Sequence, residues 1–417
     1  MIFGRKDISE VFTPRNSSVN PKMYIERKDL EKSLRRSING SMHSFLFGES
    51  GTGKSWLYKK VFGENNIKYV VANCASASIK RSITNEILSV SLKAGSSQKQ
   101  SYSESKEAGL SAGATAKLKH QGEYTVVQED DLIKAFESLS KESGNKKTVL
   151  VFDNLETIFK NEELMDELSD IIILLDDERY AKYKVKFLIV GVPNEAIRYF
   201  SSSKSSSSVG NRIEEISRVT GFDYQQVLEL FERGFVNQLK VELTETQTRR
   251  LAVHIFNITL GIPQRVHEYC EVLAYEIEDN DWQYNTQLIE EADQAWLLRG
   301  LRESYSTIEK YLNSDETSEG RRNQVIYALG KNSAHQIDTN KIGEIIRKEF
   351  PSTAPDSNSG IGQVLSFLSK GDNPVLHKIS NSNAYAFTDP RYIMCIRIML
   401  YKSEGTEAVH KKGFSIT

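Results

Sequence analysis

The sequence has little cysteine. Cys74, Cys270 and Cys395 are the three in 417 residues, far apart and with no CxxC pair. That excludes a disulfide scaffold and a cysteine-type zinc site, and it fits a reducing cytoplasm, the expected location. Long hydrophobic runs are also missing. The longest apolar stretch, around Ile171-Ile172-Ile173-Leu174-Leu175, is far below membrane-spanning length, so no membrane role is expected. No apolar core follows the charges of Met1-Ile2-Phe3-Gly4-Arg5-Lys6, so no signal peptide is expected. An excess of one charge is absent too: 54 Lys and Arg against 56 Asp and Glu leave a formal net charge of -2. With this balance, any nucleic-acid role must reside in a local patch. Length predicts two or three domains.

What is present is Gly48-Glu49-Ser50-Gly51-Thr52-Gly53-Lys54-Ser55, the G-x-x-x-x-G-K-S phosphate-binding loop. Phe45-Leu46-Phe47 before it reads as a short buried strand. Trp56-Leu57-Tyr58-Lys59-Lys60-Val61-Phe62 after it has helical periodicity. Gly48, Gly51 and Gly53 are expected to take positive φ and turn backbone N–H groups onto phosphate oxygens. A helix beginning near Lys54 points its positive end at the same oxygens. Lys54 reaches the β- and γ-phosphates, and Ser55 offers a hydroxyl to Mg²⁺.

Residues 1–22 are polar, contain Pro14 and Pro21, and read as a mostly irregular N-terminal arm. A helix is expected from about Tyr24 to Leu34. Arg27 on it is a candidate contact to an adenine base, with a solvated helix arginine as the other reading. Ile67 to Cys74 predicts a second buried strand, and Ser78 to Leu92 a helix. Residues 94–125 are rich in Ser, Gly, Ala and Lys and read as an insertion, either a loop with a small hairpin or a contact arm for a partner or a DNA strand. After a helix from about Gln128 to Ser140, Thr148-Val149-Leu150-Val151-Phe152-Asp153 is a strand buried on both faces. Asp153 emerges at its carboxyl end, where it can hold the water shell of Mg²⁺ and orient Ser55. A helix from about Asn161 to Leu175 leads to a fourth parallel strand, Val185 to Val192. Asn194 lies just past its tip, at the ligand-binding end of such sheets, as a candidate contact to the γ-phosphate or the attacking water. Ser201 to Ser208 reads as a flexible loop, followed by a fifth strand around Asn211 to Ile216. Residues 223–313 read as all-helical. Residues 314–417 read as three short helices, a hairpin and a closing helix, a winged-helix arrangement.

Taken in order, GESGTGKS, VLVFDNLE, VGVPNE, Arg212 and GIPQR resemble the AAA+ ATPases. The helical lid and terminal winged helix make the replication-initiator, origin-recognition-like branch most similar, with the STAND signalling ATPases next. The resemblance implies an α/β P-loop NTPase domain over residues 23–222, a parallel sheet flanked by helices, followed by the lid and the winged helix. It implies ATP and Mg²⁺ as cofactors. Gly48, Glu49, Ser50, Gly51, Thr52, Gly53, Lys54, Ser55 and Trp56 would bind the nucleotide with Arg27, and Ser55 and Asp153 the metal. Asn194 looks like sensor 1, and Arg212 like an arginine finger for a neighbouring subunit, with Arg218 as the alternative. Arg265 looks like sensor 2. A guanidinium matches phosphate oxygens in each of these roles. The sequence departs from the family at Asn154, where a catalytic glutamate usually follows the Walker B aspartate. An amide is no base, and Glu156 is the candidate for that role. If neither serves, hydrolysis is slow and the protein is an ATP-dependent switch.

The expected function is an ATPase that oligomerises with ATP and acts as a motor, loader or switch on DNA. Lys341, Arg347, Lys348, Lys370 and Lys378 are scattered over the winged helix, but the expected recognition helix, Gly360 to Ser369, has no basic residue. The alternative is a STAND-like regulatory ATPase that controls a protein effector, as in bacterial antiviral defence. A small-molecule kinase is disfavoured, since the helical tail supplies no evident acceptor pocket.

Overall fold

The structure is a computed structural model that describes residues 4–92, 102–104, 124–126, 130–192, 200, 206–312, 320–334, 336–403 and 405–413. The chain divides into two compact units, one of Ser17–Val19 and Glu26–Thr220, the other of Met1–Asn16, Asn20–Ile25 and Gly221–Thr417.

The first unit is built on a five-stranded parallel sheet. Its strands are β1 (His43–Phe47), β2 (Lys68–Asn73), β3 (Thr148–Asp153), β4 (Val185–Gly191) and β5 (Ile213–Glu215), in the order β2-β3-β4-β1-β5. Alternate side chains feed the two faces. Leu150, Phe152, Phe187 and Ile189 pack on one side with the helices Ile83–Ser91, Asp131–Glu142 and Glu162–Leu174. Val149, Val151, Leu188 and Val190 pack on the other with the helices Lys28–Asn39 and Lys54–Glu64. Near-continuous apolar strands are what a sheet covered on both faces requires.

Several elements differ from the sequence expectation. The single helix expected over Ser78 to Leu92 is two, Cys74–Lys80 and Ile83–Ser91. Arg81 turns left-handed between them (φ 53°), and Ser82 caps the second by accepting from the Asn85 N–H. Of the insertion, only Tyr102–Glu104 and Tyr124–Val126 are described; they pair antiparallel. Of the serine-rich stretch, residues 206–208 open a short helix, Ser206–Gly210, and residues 201–205 lie outside the described residues.

In the second unit the N-terminal segment contributes a short helix, Ile8–Val11, and buries Ile8, Val11 and Phe12. Phe12 packs against an irregular stretch elsewhere. After the helix Tyr224–Phe231 the chain widens to a π-helix over Glu232–Gln238, where a Cβ on Gly234 would lie 2.5 Å from the Phe12 ring. The helices Glu245–Thr259, Pro263–Asp279, Gln287–Gly300 and Arg302–Tyr311 follow. Then come Arg321–Lys331, Thr339–Glu349 and Ser359–Leu368, the hairpin Leu376–Lys378 with Tyr385–Phe387, and Pro390–Met399. Ile337 bridges Tyr385, completing a winged-helix-like region. A further hairpin, Leu400–Lys402 with Val409–Lys411, was not expected from sequence. The helix Arg321–Lys331 contains Gly330, and Ile396 packs where a side chain there would be; a Cβ would meet it at 2.7 Å. The half-buried Arg397 joins helix ends, donating to Gly330 O at 2.7 Å, Asn332 O at 3.1 Å and Asn257 O.

Candidate functional site

The loop 48–53 leaves the carboxyl end of β1 and enters the helix Lys54–Glu64. Gly51 (φ 79°) and Gly53 (φ 88°) hold the left-handed conformation that only glycine takes at little cost. Gly48 does not; its expected positive φ is corrected here. Its role is close approach. A Cβ at Gly48 would lie 2.3 Å from the Val219 carbonyl oxygen, across a parallel bridge between the two residues.

Lys54 folds back over the loop, its Nζ donating to Gly48 O at 2.8 Å and Glu49 O at 2.9 Å. Burial lowers the pKa of its ammonium, opposed by the carboxylates of Glu156, Asp153 and Glu49 in that order of strength. Ser55, one residue on, donates its hydroxyl to Asp153 Oδ2 at 3.1 Å. Asp153 ends β3, so helix start and strand end meet at the same edge of the sheet. Tyr58 stands one turn after Ser55 on the same helical face and donates to Asp153 Oδ2 at 3.2 Å. Burial, then Asp153, pushes its phenol pKa well up, so it keeps the proton it donates to Asp153. Tyr58 was missed in the sequence; its i+3 spacing from Ser55 was the available signal. The Asn154 N–H donates to Asp153 Oδ1 at 2.9 Å.

Asn154 is left-handed (φ 61°), a conformation asparagine tolerates. Its side chain reaches Asn73 Oδ1 at the end of β2, at 3.3 Å. Leu155, fully buried, packs on Gly191 at the end of β4, which leaves Glu156 exposed on the outside of the turn Leu155–Thr157. Arg27 lies beside the loop. Its guanidinium would be 3.8 Å from a Cβ on Gly53, and it donates to Thr220 O at 3.2 Å. Arg218 donates to Glu49 Oε1 at 2.7 Å.

Thus Lys54, Ser55, Asp153, Glu156, Arg27 and the loop glycines come together with Arg218. Arg212 does not join them. It precedes β5, its carbonyl accepts from the N–H of His43, the first residue of β1, and its side chain pairs with Asp176 at 2.7 Å. In a parallel sheet that is the end opposite the loop. Arg265 belongs to the second unit, at the start of the helix Pro263–Asp279, and donates to Glu268 Oε2 at 2.6 Å. Asn194 lies outside the described residues.

The donors fit the cofactors. A hydroxyl and a carboxylate are hard oxygen ligands of the kind Mg²⁺ takes, with water and phosphate oxygens supplying the rest. Among the described residues no group of three or more His, Cys, Asp and Glu side chains is arranged to hold a metal alone. No helix among them is long and apolar enough to cross a membrane.

Residues 38–200 match the family model of the AAA domain. No curated protein sequence matches. Among solved structures, a Walker-type ATPase of Pyrococcus abyssi is similar at 14% identity and a TM-score of 0.49, covering 91% of this chain and 99% of that one. Cdc6p of Pyrobaculum aerophilum is similar at 15% identity and 0.46, covering 94% and 97%. The ORC2 protein of Aeropyrum pernix in its ADP form is similar at 14% and 0.49, covering 93% and 96%. Over residues 38–200 the chain is thus similar to the AAA domain, a P-loop ATPase domain, and ATP is the ligand that this similarity implies.

Proposed function

We propose that this protein is an ATP-dependent switch that assembles into an oligomer and acts on DNA through its winged-helix-like region. The observation that carries the nucleotide part is the hydrogen bond from Ser55 to Asp153, with Lys54 beside it on the loop carbonyls. Bound Mg²⁺ would be held by Ser55 and Asp153 and would offset phosphate charge. Lys54 leaves Gly48 O and Glu49 O for the β- and γ-phosphate oxygens, and Arg27 faces the base. Asn194 and Arg265 are proposed to act on the γ-phosphate side as sensors.

Glu156 is the proposed base that orients and deprotonates the attacking water. Its support is electrostatic: among the carboxylates acting on Lys54 it acts most strongly, ahead of Asp153. Asn154 has no ionisable oxygen, and its side chain is engaged with Asn73. Because Glu156 stands two residues beyond the usual position and in solvent, turnover is expected to be slow, and ATP binding itself sets assembly. Arg212, at the far end of the sheet from its own loop, is suited to a neighbouring subunit's site.

A protein effector is the second reading. One observation favours it: the helix Ser359–Leu368, Ser-Gly-Ile-Gly-Gln-Val-Leu-Ser-Phe-Leu, has no cation to meet phosphate. Titration calorimetry with ATP, on wild type and Lys54→Ala, tests the nucleotide part. Binding by the first and at least a hundred-fold weaker binding by the second is expected; equal affinity in a folded Lys54→Ala protein removes the reading. DNA binding measured across a salt series separates the partners, because phosphate contacts release counterions and must weaken steeply with salt. Absence of such binding favours the effector.

A further inference from the structure

Arg218 was a candidate for a finger acting on a neighbour. Its surroundings point elsewhere. Its backbone is pinned on both sides against β1, the strand that leads into this chain's own loop. Ile216 N–H donates to Phe45 O at 2.9 Å and Val219 N–H to Phe47 O at 2.8 Å. Val219 bridges Gly48, and the Thr220 carbonyl accepts from Arg27. This frame sets the Arg218 side chain beside the loop. It meets Glu49 Oε1 at 2.7 Å, with both side chains about two-fifths exposed (41% and 42%).

Glu49 is at the γ-phosphate end of the loop. The Lys54 amine, the group that contacts β- and γ-oxygens, donates to Glu49 O, and the Glu49 carboxylate adds to the field that holds Lys54 charged. A triphosphate arriving there brings negative charge next to a carboxylate. Like charges this close repel, and the Arg218 guanidinium on the carboxylate can serve one or the other. A half-exposed ion pair contributes little and is easily exchanged, whereas a guanidinium on a phosphate makes charge-assisted, bidentate bonds.

We propose that Arg218 is a γ-phosphate-responsive residue of its own subunit's site, released from Glu49 when a nucleoside triphosphate binds. The proposal rests on the reading of the loop as an ATP site. The diphosphate leaves the pair intact; the triphosphate transfers Arg218 to the phosphate. Glu49 is then a built-in competitor that discriminates between the two nucleotides.

The test is calorimetric affinity for Mg-ATP and Mg-ADP in the full chain, for wild type, Glu49→Gln, Arg218→Ala, Arg218→Lys and Lys54→Ala. Glu49→Gln removes the competitor and should tighten ATP roughly two- to five-fold with ADP nearly unchanged. Arg218→Ala should weaken ATP roughly ten-fold or more, with a much smaller effect on ADP. The ATP-to-ADP affinity ratio therefore moves in opposite directions in the two variants. Arg218→Lys should retain part of the preference. If both substitutions weaken both nucleotides alike, or leave the ratio where it was, the pair only braces the loop and the proposal fails. Thermal unfolding shows whether Arg218→Ala is folded; if it is not, the Glu49→Gln ratio decides alone. Equal ATP binding by wild type and Lys54→Ala would instead remove the ATP site itself. Binding lost in Lys54→Ala with an unmoved ratio overturns the Arg218 role alone.

Discussion

Asp153 takes three donors, the Ser55 and Tyr58 hydroxyls on one oxygen and the Asn154 N–H on the other. It is therefore held as an orienting carboxylate and is poorly placed to move protons. That leaves Glu156 as the ionisable oxygen nearest in sequence. Glu156→Gln should lower turnover by roughly a hundred-fold, the scale of a lost general base, while ATP still binds. Asn154→Ala should cost less, since it removes only the contact to Asn73. Phosphate release from purified variants measures both. Wild-type turnover in Glu156→Gln would show that the base is elsewhere or that hydrolysis is incidental. At this scale the sequence was informative about residues whose roles are local. The P-loop spacing and the aspartate ending an apolar strand are short-range patterns. Tyr58 on Asp153, and Arg218 on Glu49 across 169 positions, depend on how distant segments pack, which spacing does not encode.

The elements around the loop show the same division. Strand type and the helix after the loop follow from apolar runs and glycine punctuation, whereas the strand order was not read from them. Gly48 was read as a turn glycine, yet it is required because Val219 passes behind it. The distinction is testable. Gly48→Ala forces a Cβ to 2.3 Å from the Val219 oxygen, and neither backbone can yield without moving β5 or the loop. It should destabilise the protein by about 1–3 kcal/mol, the range for overpacking, and weaken ATP binding as well. A thermal melt and a titration check this together; an unchanged melting temperature would mean that the bridge is dispensable. Gly234 and Gly330 repeat the lesson in the second unit, where a glycine inside a helix marks the seat of Phe12 or Ile396.

At the scale of the whole molecule, each unit holds a buried neutral histidine. His43 in the first is held at a pKa of about 4 by burial and then by Lys186, and His267 in the second at about 4 by burial. The unfolded chain takes up these protons below about pH 6.5, so the stabilisation is complete above that pH and is lost as pH falls toward 4. Each is worth on the order of 3 kcal/mol over that window. The melting temperature should therefore drop between pH 7 and pH 5, and less so in His267→Asn; a flat profile would contradict the buried neutral forms. The central claim is a site completed by a second subunit. Arg212 at the opposite sheet end from its own loop is the geometric ground for it, and its ion pair with Asp176 is the contact that assembly must replace. The most direct measurement mixes Lys54→Ala with Arg212→Ala, each inactive alone, and follows ATP turnover alongside the mass of the assembly. A finger acting in trans leaves some intact sites in mixed oligomers, so part of the wild-type activity returns on mixing. Co-assembly without any recovery, or a protein that stays monomeric at every ATP concentration, would contradict the shared site.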